Sequence, residues 1–598
     1  MPRAVEFLGR LYYSPGARGA FRAKPQPPGQ SADFTTLILI GASENGWYFK
    51  DTSVPTEQRI MDFGNNDEAL AVLGTKGDLA DAIANAFTPS RDQRFANGPQ
   101  LIRAICVSNN TKASADALTI TGSNVSIKAL IPGPQGNKTR FRVSSQGKVI
   151  ELGDNANINT SPTLEADDIS ISYLGDASSA ILTLNATELK VELSGQSDTS
   201  VSFTLLLKDY SSIGELVDVI NSKPFFQAIV LSRPDRLTQN LDHFDISESI
   251  NLAGGTPKVL SSLFNEQQRF MRGTGLAEIV QPAIKKPIGD MLSFLYLSGG
   301  NTATPTPTDW IEAIDFVYAN NVEGFFISLC TDSLPVSMHL ADKLSFGASP
   351  DGSNEKFGTT GLSDQKSINE RIDELKLINS EFLIPSFSPV ITRQADKISQ
   401  KQFSGWMMGV IHNAIKASAN LRETPTNKDL NIISCPETYG NTEVVRILQA
   451  GGMIVTRKPN RGPFKIHFAI TSYQKENIIL NQSSLICTSM GLVKDFREWL
   501  DNTYLGEVPT DPDAQGSALT DADIRTEINN RFKYVYVQQY GWLTRNIYTG
   551  EAAFNENYTI RRDGDALFFI FPDGKAVSPI NFMMFLMNLD VVRGSSNG

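Results

Sequence analysis

The hydrophobic rhythm of this chain changes twice, and that change limits what it can fold into. Up to about residue 110, and again from 260 to 505, short apolar runs alternate with segments whose apolar residues recur every three or four positions. Between 111 and about 208 the period is two. Alternating strands and helices build a mainly parallel sheet with right-handed crossovers. Strict apolar–polar alternation builds an antiparallel sheet with one wet face. A chain that runs from the first pattern to the second and back reads as an α/β core carrying an inserted antiparallel β domain.

The pieces can be placed. Thr35–Ile40 is an apolar strand, Asp78–Phe87 is helical with Leu79, Ile83 and Phe87 on one face, and Leu101–Val107 is a second strand. In the insertion, Val125, Ile127 and Ala129 alternate with Ser and Lys, and Leu189, Val191 and Leu193 with Lys and Glu. Ser212 and Glu215 predict a capping box. After the insertion, strands are expected at Met291–Leu297, Phe325–Leu329, Phe382–Ile384, Leu430–Ser434, Met453–Val455 and Ile466–Ile470. Helices are expected at Asp309–Ala319, Ser404–Ala417, Thr442–Gln449 and Leu492–Leu500. Near the end a helix is expected from Thr520, followed by strand-like segments at Tyr534–Val537, Ala552–Tyr558, Ala566–Phe571 and Ile580–Leu589.

The domain plan is therefore an N-terminal arm and Pro-rich linker over 1–30, an α/β core over 31–110 and 256–505, a β-rich insertion over 111–255, and a C-terminal domain over 506–598. The arm mixes Phe7, Leu11 and Tyr12 with basic residues ahead of Pro25, Pro27 and Pro28. The far end concentrates Phe568, Phe569, Ile570, Phe571, Phe582, Met583, Met584 and Phe585. So much apolar surface at a terminus must be covered by its own core or by a neighbour.

Charge argues against some partners. The net charge is −11, which repels nucleic acid and anionic membrane. Residues 111–250 hold 11 Lys/Arg against 17 Asp/Glu, which suits an outward-facing decoration. Cys106, Cys330, Cys435 and Cys487 lack metal or redox spacing and read as small buried thiols. There is no signal-like h-region and no run of 18 apolar residues, so the chain is expected to be made and folded in a cytoplasm.

Catalysis finds little support. His243, His339, His412 and His467 show no metal spacing, and His467 reads as a core histidine. Cys487–Gly491 resembles the strand-to-helix turn bearing the nucleophile of subtilisin-type proteases. No His-Gly pair or Asp-Ser/Thr-Gly element accompanies it, so a hydrolase acting through Ser489 is a minor reading and a helix-capping turn the main one. Gly133–Thr139 lacks phosphate-loop spacing and reads as a turn. No cofactor or metal is expected, and the chain is not expected to be an enzyme.

Several short segments then fall in a known order. They are Leu37–Gly41, Phe63-Gly64, the helix around Ala82–Phe87, Leu101–Ile105, Thr424–Lys428, Leu448–Gly452 with Ile454-Val455, Arg461-Gly462 and Ser578–Phe582. In these the chain resembles the tail sheath proteins of contractile-tailed bacteriophages, related to R-type pyocin and type VI secretion sheaths. The resemblance spans most of the chain outside the β insertion and residues 345–365. Ser14-Pro15-Gly16 stands where the family commonly has Pro-Gly-Val-Tyr.

The resemblance implies a structural subunit that stacks as hexameric rings around a tail tube and contracts to drive the tube through a host envelope. Its implied partners are copies of itself, the tail tube protein, and baseplate and tail terminator proteins, with no nucleic acid and no membrane insertion. Its implied place is the phage tail of a virion, assembled in the bacterial cytoplasm. A baseplate or other virion structural protein is the alternative. Strand exchange between subunits is expected to use Phe7, Leu11, Tyr12, Phe568, Ile570, Ile580, Phe582 and Phe585. The helix near 521–532 is expected to face the tube with Arg525, Arg531 and Lys533.

Overall fold

In a computed structural model, the structure describes residues 5–7, 10–12, 32–244, 249–280, 284–457, 462–474, 478–504, 521–546, 549–558, 560–563, 566–569 and 574–575. The chain divides into two compact units, one of residues 34–487 with 578–598, the other of 1–33 with 488–577.

The larger unit is organised on one six-stranded sheet. Its strands are β1 (Thr36–Gly41), β2 (Met61–Phe63), β3 (Leu101–Cys106), β4 (Phe326–Leu329), β5 (Phe357–Gly361) and β6 (Leu383–Ser386), in the spatial order β6-β5-β4-β1-β3-β2. All neighbours are parallel except β2, which runs antiparallel on β3. The Leu-Ile run of β1 pairs in register with both sides, Ile38 with Arg103 and with Ile327. Every residue of β1 is buried, as expected of a strand covered on both faces.

Helices α1 (Asp78–Ala86), α2 (Pro307–Ala319), α3 (Leu334–Gly347) and α5 (Gly405–Ala417) pack on the sheet, and α4 (Ile368–Ile378) packs on α3. α5 is buried along its whole length, hydrophobic and polar positions alike, and packs on β4, β5 and β6. Its polar residues are satisfied inside: Asn413 Nδ2 donates to the Ile327 carbonyl and to Ser328 Oγ, both at 3.0 Å, and Ser328 Oγ shares a 2.7 Å hydrogen bond with Thr359 Oγ1.

β5, sequence Phe-Gly-Thr-Thr-Gly, has no strand-like pattern, and the sequence reading passed over it. Its composition follows from packing. A Cβ on Gly361 would lie 1.9 Å from the Trp406 backbone nitrogen, and one on Gly409 would lie 3.0 Å from Thr359 Cβ. Glycine is thus required where α5 is pressed against the sheet. Other expectations also shift. Leu430–Ser434 forms isolated bridges rather than a strand. Val455–Arg457 and Phe464–Ile466 pair with each other as a separate two-stranded ribbon. Leu295–Tyr296 joins the insertion, not the core sheet.

The insertion is longer and more elaborate than the sequence reading had it. It leaves the core at Asn110-Thr111 and re-enters at Asn301-Thr302, and these two segments pair antiparallel as a neck. Between them lie two lobes with separate apolar cores. One core is drawn from Ala113–Ala166 and Leu263–Leu297. The other, set inside the first along the chain, is drawn from Ile169–Leu260. A close of the insertion at 255 misses Lys258–Ser261, Ala277–Ile279 and Leu295–Tyr296, each of which pairs with an insertion strand. The capping box at Ser212 and Glu215 is present.

In the smaller unit, the helix Ser483–Tyr504 runs on from residue 488, followed by Asp521–Asn530 and a π-helix Arg531–Gln539 where a strand at Tyr534–Val537 was expected. Ala552–Tyr558 is irregular. Ile524, Ile528, Phe532, Tyr536 and Tyr540 recur every four residues and are all buried. The wider π turn carries that spacing on past Asn530.

Candidate assembly elements

No catalytic centre is assembled by the described residues. Cys487–Met490 lies inside the helix Ser483–Tyr504, so it is neither the nucleophile turn nor the capping turn expected from sequence. One Ser–His contact does occur, unforeseen: His412 Nε2 lies 3.2 Å from Ser483 Oγ. Both residues are fully buried, the other ring nitrogen meets the Asn413 amide oxygen at 3.2 Å rather than a carboxylate, and burial pushes the imidazole down to about 3. A nucleophile sealed from substrate, with no carboxylate behind its base, has no route to acyl transfer.

A doubly wound sheet usually binds ligands outside the carboxyl ends of its strands, and at the end of β1 the backbone is closely packed. A Cβ on Gly41, at the end of β1, would sit 3.0 Å from Leu79 Cβ and 3.1 Å from Cys330 Sγ. No His/Cys/Asp/Glu cluster suited to a metal occurs among the described residues. His243 is buried, its Nδ1 accepting from the Lys285 N–H at 3.1 Å. His339 meets Asp315 at 2.9 Å. His467 is exposed, not a core residue. Gly133–Thr139 is a turn, with a short 3-10 helix over Pro134–Lys138. All four cysteines are free thiols, three of them buried and Cys435 partly exposed.

What the described residues do offer is a two-stranded ribbon in each terminal region. Val5–Phe7 and Arg10–Tyr12 pair antiparallel, with Phe7 opposite Arg10 and Glu6 opposite Leu11. Ile560–Asp563 and Ala566–Phe569 form a second antiparallel pair, with Phe568 opposite Arg561. Among the described residues neither ladder has a third strand. A two-stranded ribbon is marginal in water, and a ribbon edge that no further strand covers presents unpaired N–H and C=O groups. Phe7, Leu11, Tyr12 and Phe568 all belong to these ribbons. Ile570, Ile580, Phe582 and Phe585 lie outside the described residues.

Between the two ribbons in sequence stands a buried polar knot. Arg531 Nη2 lies 2.6 Å from Asp495 Oδ2, and the Tyr536 hydroxyl donates to the same oxygen at 2.8 Å. Arg531 Nε donates to that hydroxyl at 3.0 Å, and the guanidinium stands 5.0 Å over the Trp499 ring. Burial works against the charge, yet Tyr536 and Asp495 hold Arg531 above its ordinary range. The other carboxylate oxygen accepts from the Ala32 N–H at 3.1 Å, which fastens the foot of the N-terminal segment. Phe496, Phe532 and Phe554 pack around the knot with centroids 5.2 Å apart.

This corrects one expectation. Arg531 is used inside the unit and cannot face a tube. Arg525 and Lys533 are exposed. Asp495 was missed in the sequence, where it stands among Lys494, Arg497 and Glu498 and nothing local marks it as buried.

No protein-family model and no curated protein matches the sequence. Solved structures do match the fold. The sheath tail protein of Listeria innocua superposes with a TM-score of 0.50 over 92% of this chain and 96% of its own, at 11% identity. The chain has the fold of a tail sheath protein. The sheath tail protein of Desulfitobacterium hafniense gives 0.49, covering 93% of this chain and 95% of its own at 12% identity.

Proposed function

We propose that this chain is the sheath subunit of a contractile phage-type tail, stacking as hexameric rings around a tail tube and shortening to drive the tube through a host envelope. The observation that carries the reading is the pair of terminal ribbons, each without a third strand among the described residues, on a body of sheath fold whose described residues form no catalytic site. Such edges are completed when a neighbour adds strands, so subunits are joined by main-chain hydrogen bonds as well as side chains. Phe7, Leu11, Tyr12, Phe568, Ile570, Ile580, Phe582 and Phe585 serve this exchange. Links of that kind survive while rigid bodies rotate and slide, which lets an extended sheath hold a kinetic trap and contraction release it.

In this reading the tube contacts the exposed Arg525 and Lys533, and baseplate and terminator proteins close the two ends. The test is negative-stain electron microscopy of the purified full chain. Hollow, striated tubes are expected. Uniform single particles at high concentration, persisting on co-expression with the tube protein, would overturn the reading.

A further inference from the structure

The acidity of the insertion is not spread over it. Residues 167–261, which form the inner lobe, hold 6 Lys/Arg and 13 Asp/Glu. The outer lobe, residues 111–166 and 262–302, holds 10 Lys/Arg and 7 Asp/Glu. The nets are −7 and +3, so each subunit carries an acidic lobe beside a basic one.

The acidic lobe also has a sheet face with the wrong chemistry for water. Its three-stranded sheet places Asp167–Tyr173 between Phe226–Val230 and Lys258–Ser261. Ile169, Ile171 and Tyr173 point into the core. On the opposite face Ser170 is flanked in one row by Ile229 on one side and Val259 on the other. Ile229 is 53% exposed, Val259 48%, and Leu231, next along the edge, 49%. Ser170 and Ser172 on the central strand keep the middle of the face low, so the flanking apolar residues wall a shallow trough. Exposed apolar residues scattered singly are ordinary, but in one row on a face that alternation should make polar they mark a contact. The basic lobe has a projection of its own, the hairpin tip bearing Leu118 and Ile120, 59% and 53% exposed, and the exposed Lys128 lies at the other end of that hairpin, opposite Ser114.

We infer that the trough of the acidic lobe receives the basic lobe of a second copy of this chain. Acid on one lobe and base on the other make the contact head-to-tail, the type that generates rings or helical rows rather than closed dimers. The inference rests on the self-assembly proposed above. It makes the insertion a lateral connector as well as an outer decoration.

The test mixes 14N- and 15N-labelled full-length chains at high concentration and joins carboxylates to lysines with a zero-length carbodiimide. Mixed-isotope links are expected between Asp/Glu of 167–261 and Lys112, Lys128 or Lys138. They should fall at least tenfold in the double variant Ile229→Lys, Val259→Lys, which places positive charge against the basic lobe and adds no carboxylate, and independently in Lys128→Glu, both with unchanged melting temperature. Absence of mixed-isotope links between lobes, or links that survive both variants, overturns the inference. Tubes without such links would leave the sheath reading standing and remove this one; links without tubes would do the reverse.

Discussion

Arg531 meets Asp495 at 2.6 Å with both side chains buried, and the second oxygen of that carboxylate takes the backbone N–H of Ala32 at 3.1 Å. One side chain thus holds the foot of the N-terminal segment and the start of the π-helix. Removing one member of a buried pair leaves the other charge uncompensated, at a cost of about 3–5 kcal/mol. Asp495→Ala should lower the melting temperature of the smaller unit and expose the chain near residue 32 to protease, both measurable by limited proteolysis along a thermal ramp. Asp495→Leu combined with Arg531→Met should recover most of that loss. Equal damage from the single and double variants would show that the ion pair is not what matters.

Gly361 should tolerate no side chain. Its Cβ would stand 1.9 Å from the Trp406 nitrogen, and neither the sheet nor the buried α5 can retreat. Overpacking costs about 1–3 kcal/mol where repacking is possible, and more where backbone blocks it. Gly361→Ala is expected to accumulate in the insoluble fraction, while Gly273→Ala, at a glycine of ordinary φ with open space around it, stays soluble.

Acid should weaken the larger unit through His412. Burial sets its folded pKa at about 3, below the value of about 6.5 for a free imidazole. The unfolded chain therefore binds the extra proton first. Stability is full above about pH 6.5 and falls as pH drops towards 3, by roughly 1–2 kcal/mol at pH 5. Denaturant midpoints for wild type and His412→Gln should converge as pH falls from 7 to 5. Parallel curves would mean that another group governs the acid limb.

Asp81 works in the opposite sense. It is buried, with Oδ1 accepting from the Ala395 N–H at 2.8 Å, and burial raises its pKa to about 6. Its contribution is fullest below the ordinary carboxyl range and is lost as pH rises through about 6. Asp81→Asn keeps the shape without the charge, so it should raise the melting temperature at pH 8 and have little effect, or the reverse effect, at pH 5.

Ending the chain at Asp565 removes the strand Ala566–Phe569 and everything after it. Soluble subunits that form no tubes are expected by electron microscopy. Arg525→Glu with Lys533→Glu should leave tubes of the subunit intact and abolish co-sedimentation with the tube protein.

The core was legible wherever burial and sequence pattern agree. Thr36–Gly41 is an unbroken apolar run because both faces of the sheet are covered, and Pro307–Ala319 and Gly405–Ala417 announced themselves by helical spacing. Phe357–Gly361 was illegible because close approach of a helix replaced apolar bulk with glycine and threonine. Tyr534–Val537 looked like a strand because aromatic and β-branched residues favour one; instead the four-residue spacing from Ile524 to Tyr540 prevailed. Arg531 looked like a surface cation, since nothing local reveals a partner 36 positions earlier. The nested lobes were hidden for a similar reason: two cores of like composition differ only in which distant strands they recruit.

That nesting sets a timetable. β1 has two neighbours in the sheet, β3 and β4, and 284 residues lie between its last residue and the start of β4. At ribosomal speeds of about 5–20 residues per second, β1 waits on the order of 15–60 s with one apolar edge unsealed. Both lobes emerge in that interval, each able to gather its own core from residues already made. The insertion thus matures before the domain that hosts it, and a newborn chain is most vulnerable to aggregation along the edge of β1 until Phe326 arrives.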